Sequence, residues 1–153
     1  MTEFKVIDDL VCIIPPEKHS VEDITAILEA HPEIKFVSLA AVDLAGNDTD
    51  ERIPICDFHD HLVNYLNGEA VQTDGSSVVL PGIATLNDGK VDLVPDSEVV
   101  WYVDYNYEHI DNKTGLPVGT LRIPSFLYHN GRQTSFQRCL CDEEFLALIV
   151  YFK

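Results

Sequence analysis

The sequence predicts an α+β domain in which a helix packs on one face of a largely antiparallel sheet. Three observations lead there. Val21, Ile24, Ile27 and Leu28 recur at helical spacing within Val21–Ala30. Beyond Gly68 the texture changes to short runs of β-formers separated by turn residues. Two hairpin signals, Asn87-Asp88-Gly89-Lys90 and Asn130-Gly131, lie between apolar runs, where a primed turn needs positive φ at its centre.

Taken in order, residues 4–14 are apolar and β-branched and predict a leading strand, ended by Pro15-Pro16. Ser20 then offers an N-cap to the first helix, with Glu22 and Asp23 in the turn where the helix dipole favours anions. His31-Pro32 ends that helix, because the residue before proline is pushed out of the α region. Residues 34–43 form a strand whose Phe36, Ser38 and Ala40 alternate with Val37, Leu39 and Ala41. A turn over 44–50 leads to a second strand at 51–56, and Pro54 assigns it to an edge or a bulge, since proline cannot donate to the ladder. Asp57 is read as the cap of a second helix, 59–66, stopped by Gly68. Residues 99–107 are the richest β-former run, and 111–115 make a further turn.

The chain has 153 residues, with 46% hydrophobic and 24% charged, which is one ordinary globular domain's worth. Its 26 acids against 10 bases leave a net charge of −16. Counterion release on a phosphate backbone needs clustered cations, so nucleic acid is excluded as a partner. Anionic membrane surfaces are disfavoured by the same field. No run approaches the ~18 apolar residues of a membrane span. The opening Met1-Thr2-Glu3-Phe4-Lys5 lacks the basic and apolar regions of a signal peptide. Cys12, Cys56, Cys139 and Cys141 are too sparse for a disulfide framework and read as reduced thiols of a cytoplasmic protein.

Most local motifs have ordinary explanations. Gly115-Leu116-Pro117-Val118-Gly119 lacks the Lys-Ser/Thr and the helix of a phosphate loop, and reads as a turn between strands. His59-Asp60-His61 suggests a metal pair, but residues two apart on a helix do not face each other, so no metal ligand is assigned. Ser76 and Ser77 have no nucleophile elbow around them. The segment that stands out is Thr73-Asp74-Gly75-Ser76-Ser77, whose amides and hydroxyls can hold a carboxylate in place. By itself it is a common turn.

Its surroundings add weight. A helix at Val21–Ala30 is followed by a strand from Ile34, then by Val42-Asp43-Leu44-Ala45-Gly46 and Arg52-Ile53-Pro54. Asp74-Gly75-Ser76-Ser77 comes next, and then Leu93-Val94-Pro95-Asp96. This succession resembles the N-terminal domain of glutamine synthetases, in which a helix and strand lead to a T-D-x-x-G turn, an isoleucine-proline strand, F-D-G-S-S-I and L-x-P-D. The resemblance runs from Ile34 to Asp96 and extends more loosely to Arg138. Thr73 replaces the family's usual aromatic, Val78-Val79-Leu80-Pro81 replaces a glycine-rich continuation, and 87–90 add a turn, which together mark a divergent branch.

The resemblance implies a β-grasp (ubiquitin-like) mixed sheet with a strand- and hairpin-rich C-terminal part, over residues 1–138. Residues 139–153, with an apolar run at 145–152, then form a stub leading toward the next domain. In that family ammonia or another amine is joined to the γ-carboxylate of glutamate with consumption of ATP. The loop aspartate reaches a neighbouring subunit's site, attracts the ammonium and helps to remove its proton. That role falls on Asp74, with Gly75 permitting the backbone path and Ser76 and Ser77 holding the loop. ATP and Mg²⁺ or Mn²⁺ belong to the full-length enzyme, and no cofactor is expected within these residues. Phosphoryl transfer needs metal ions and cations on several strands, and this chain has only Arg52, Arg122, Arg132 and Arg138. The expectation is a chain inactive alone, whose partners are neighbouring subunits and a catalytic domain. The alternative is a stand-alone, non-catalytic β-grasp interaction module.

Overall fold

A computed structural model describes residues 10–42, 48–69, 71–74, 90–129 and 132–133. Of the expected leading strand only β1, Ile13–Ile14, is strand there, and residues 1–9 lie outside the described ones. Helix α1 spans Val21–Ala30 with Ser20 as its N-cap. The Ser20 hydroxyl accepts from the Asp23 amide at 3.0 Å and donates to the Asp23 carboxylate at 2.9 Å. Lys18 closes on the same carboxylate at 3.1 Å. Ile24 and Leu28, four residues apart, are buried. The helix is held by one cap and one stripe.

Strand β2, Ile34–Val42, runs between its antiparallel partner β3, Asp48–Pro54, and β7, Pro117–His129, which it pairs in parallel. β3 starts earlier and stops sooner than the expected 51–56, and among the described strands it is the last at its edge of the sheet, where Pro54 requires no ladder donor. β7 is the organising strand. Residues 117–124 lie between β2 and β6, Trp101–Ile110, whereas 125–129 pair with β5, Lys90–Pro95, and with β8, Arg132–Gln133. β4, Val71–Asp74, completes the second ladder by pairing with β5. His129 pairs with Arg132 directly across Asn130-Gly131, as that dipeptide predicts. The 87–89 part of the other hairpin signal, the 43–47 turn and residues 134–153 lie outside the described residues.

The second helix departs from the sequence reading. It begins at Ile55 with Pro54 in the capping position, so Asp57 sits in its first turn and is not its cap. It also breaks: α2 is Ile55–Asp60 and α3 is Leu62–Leu66, with His61 at φ −114°, ψ 14° between them. Docking explains both departures. Phe58 and Leu62 are buried, and Phe58 stacks on Tyr65 at 5.1 Å, so tertiary packing sets the start and the kink. Gly68 ends α3 as expected. At φ +85° it closes a Schellman turn, with its amide on the Tyr65 carbonyl and the Glu69 amide on that of Asn64.

The core lies between the three helices and one sheet face. Ile24, Leu28, Phe58 and Leu62 join Val37, Leu39, Leu121 and Ile123 in a single cluster. Trp101 is fully buried, donates to the Asp96 carbonyl at 2.8 Å and stacks on His19 at 3.9 Å. Tyr105 donates to the Val11 carbonyl at 3.0 Å and reaches buried Glu33 at 3.5 Å. Burial, then the Glu33 charge, pushes that phenol far above its ordinary range. Helices on one face of a mixed sheet make this an α+β fold, consistent with a β-grasp-like domain.

Candidate functional site

Asp74 is the last residue of β4, and its register partner is Lys90, the first residue of β5. β4 pairs with β5 alone among the described strands, so Asp74 stands at the end of a strand that has one described neighbour. The ladder beneath it is firm: Val91 and Leu93 of β5 are fully buried, and Leu93 faces Leu127 of β7 in register. Leu62 of α3 belongs to the same cluster. A residue at such an end is carried on a rigid support. Gly75, Ser76 and Ser77 lie outside the described residues.

The register brings further polar residues to this end. Thr73 pairs with Val91, Val91 with His129, and His129 with Arg132. Asp74, Lys90, His129 and Arg132 therefore share one end of the second ladder, although His129 and Arg132 are more than fifty residues away in the chain. The sequence reading did not single out either. Asn130-Gly131 was the available signal, since a two-residue hairpin puts its flanking residues opposite each other.

Leu93-Val94-Pro95-Asp96 ends β5 and sets the turn into β6. Asp96 is buried, its amide donates to the Pro124 carbonyl at 2.8 Å, and its carboxylate accepts from the Glu98 amide at 3.0 Å. Arg52-Ile53-Pro54 occupies the end of β3, with Ile53 buried and Arg52 and Pro54 on the opposite face. Asp43-Leu44-Ala45-Gly46 falls outside the described residues, between the paired Val42 and Asp48.

His59 and His61 lie exposed around the break between α2 and α3. His61 Nδ1 donates to the Asp57 carbonyl at 2.9 Å, and that bond, chiefly, holds the imidazole above its ordinary range. Cys12 and Cys56 are free and exposed. Among the described residues no group of three or more His, Cys, Asp or Glu is placed to hold a metal ion, and no helix is long and apolar enough to cross a membrane.

No family profile and no curated protein matches the chain. Among solved structures, GmaS in complex with ADP, a glutamine synthetase-like enzyme, matches with a TM-score of 0.45 and 16% identity. The match covers 71% of this chain and 21% of that protein. It is a distant likeness.

Proposed function

We propose that this chain is an N-terminal β-grasp portion of a glutamine synthetase-type ligase, one that amidates the γ-carboxylate of glutamate with ammonia or another amine. Its contribution is the Asp74-Gly75-Ser76-Ser77 loop, offered to the active site of a neighbouring subunit. One observation carries this reading: four motifs occur in the order that family uses, from Asp43-Leu44-Ala45-Gly46 through Arg52-Ile53-Pro54 and Asp74-Gly75-Ser76-Ser77 to Leu93-Val94-Pro95-Asp96. The position of Asp74 as the last residue of β4, which pairs with β5 alone among the described strands, supports it.

The chemistry follows from a carboxylate held at a fixed point. Asp74 attracts an ammonium or alkylammonium ion, and takes its proton when the nitrogen must become a neutral nucleophile. On this reading Gly75 permits the backbone path of the loop, and Ser76 and Ser77 hold it, as the resemblance implies. On this reading the nucleotide and the divalent metal, Mg²⁺ or Mn²⁺, belong to the catalytic domain of a full-length enzyme. A cytoplasmic ligase built from several subunits is the setting this reading requires.

The test is a mixing experiment in an enzyme carrying this domain. Asp74→Asn keeps the side chain's size but loses the charge and the base, so turnover should fall and amine binding should weaken. Combined with a variant inactivated in its catalytic domain, it should regain part of the activity, since a shared site then draws intact halves from two chains. Failure of rescue, with both variants assembled normally, would reject the shared site.

A further inference from the structure

The sheet face away from the helices carries a groove of about 860 Å³. Phe36 and Val118 form its floor, Arg52 of β3 stands on one side, and Ile110 and Lys113 at the end of the β6 hairpin stand on the other. The register accounts for the shape. The β6–β7 pairing slips between Asn106 and Ile110, an irregularity of the kind that bends a strand, and residues on both sides of it line the groove.

The charges in this groove are out of keeping with the chain. Acids outnumber bases by 26 to 10 overall, yet the lining holds three bases, Lys35, Arg52 and Lys113, against two acids, Glu108 and Asp111. Asp111 is already committed: it accepts from Thr114 at 3.0 Å and pairs with Lys35 at 3.4 Å. Burial raises its carboxyl, but these bonds outweigh that and hold it below its ordinary range. Arg52 and Lys113 have no ion-pair partner among the described residues. The Arg52 guanidinium lies 5.9 Å from the Phe36 ring centroid, a cation–π arrangement that keeps its hydrogen-bonding edge available. Phe36 itself remains 38% exposed.

We propose that this groove docks an acidic segment of a partner protein, with an apolar side chain on Phe36 and Val118 and carboxylates on Arg52 and Lys113. The free bases select the occupant by charge complementarity, and the groove is independent of the Asp74 loop. A carboxylate matches the guanidinium fork in two parallel hydrogen bonds, and the exposed ring receives the apolar neighbour. A chain of net charge −16 repels acidic peptides over most of its surface, so saturable binding of one must be local.

The probe is a blocked pentapeptide, Asp-Glu-Phe-Glu-Asp, titrated into the isotopically labelled 153-residue chain and followed by amide shifts. Saturable shifts centred on Phe36, Val118 and Lys113 are expected, weaker for the Asn-Gln-Phe-Gln-Asn peptide and at raised salt. Lys113→Glu lies in an exposed turn and should fold normally, yet weaken binding several-fold. Adding Arg52→Glu should bring the loss to about tenfold or more. The proposal falls if the acidic peptide does not saturate, or if its shifts centre on another face. It falls equally if Lys113→Glu binds unchanged, or if the neutral peptide binds as tightly.

Discussion

Asp74 and Lys90 face each other across the final register position of the β4–β5 ladder, with Val91 and Leu93 buried behind them. The pairing sets the residues on either side of the 75–89 segment opposite each other. If Asp74 serves chemistry and not the turn, Asp74→Asn in the isolated chain should change unfolding free energy by less than about 0.5 kcal/mol. Denaturant melts measure this. A loss of about 2 kcal/mol or more would make Asp74 a structural residue.

The proposed division of labour also bears on activity. The 153-residue chain by itself should form no glutamine and hydrolyse no ATP in the presence of glutamate and ammonium. Turnover clearly above a heat-inactivated control would place the whole reaction within these residues.

Leu28 is buried between α1 and the sheet, in the cluster that includes Ile24, Ile34 and Val37. Leu28→Ala should cost about 2–5 kcal/mol, the range for a cavity left by a buried leucine. A loss under about 0.5 kcal/mol in urea melts, typical of a surface site, would show that α1 is not docked there.

Gly119 is required by closeness and not by backbone angle. A Cβ there would stand 3.0 Å from atoms of both Tyr105 and Val103, and 3.2 Å from Ile34. These are side-chain atoms of β6 and β2, which flank β7, and in this packed layer each must give by a few tenths of an ångström to admit a methyl group. Gly119→Ala should destabilise by about 1–3 kcal/mol, as overpacking does. An unchanged melting temperature would refute it.

At the start of α1, hydrogen bonds from Lys18 and then Ser20 hold the Asp23 carboxyl below its ordinary value. A depressed folded-state value means stability that is present above the unfolded value of about 3.9 and lost as pH falls through the folded one. The advantage of the native chain over Asp23→Asn should therefore shrink as pH drops from about 6 to about 2. Ser20→Ala should cost about 1 kcal/mol at neutral pH, the usual worth of an N-cap. An acid-insensitive difference would show that the cap does not involve the carboxylate.

Local chemistry was enough to read the elements that local contacts build. Ser20, Glu22 and Asp23 marked the start of α1, His31-Pro32 its end, Gly68 the stop of α3, and Asn130-Gly131 the β7–β8 hairpin. Each of these depends on residues within a few positions of one another. Pro54 likewise limited β3 to an edge or a bulge, because its missing amide proton is a property of the residue itself. Other features depended on distant partners. The helix after β3 starts at Ile55 and breaks at His61 because Phe58 and Leu62 dock into a core made by other segments, which outweighs the capping preference of Asp57. The parallel pairing of β2 with β7 joins Val37 to Leu121, which no turn signal connects. The same long-range ladders placed His129 and Arg132 at the end where Asp74 leaves the sheet, and put Arg52 and Lys113 around one groove. Residue identity and local spacing settle which side chains carry charge and where the chain turns. Which charges meet is settled by the fold, since proximity between strands is set by the packing of their buried faces and not by the polar residues that ride on them.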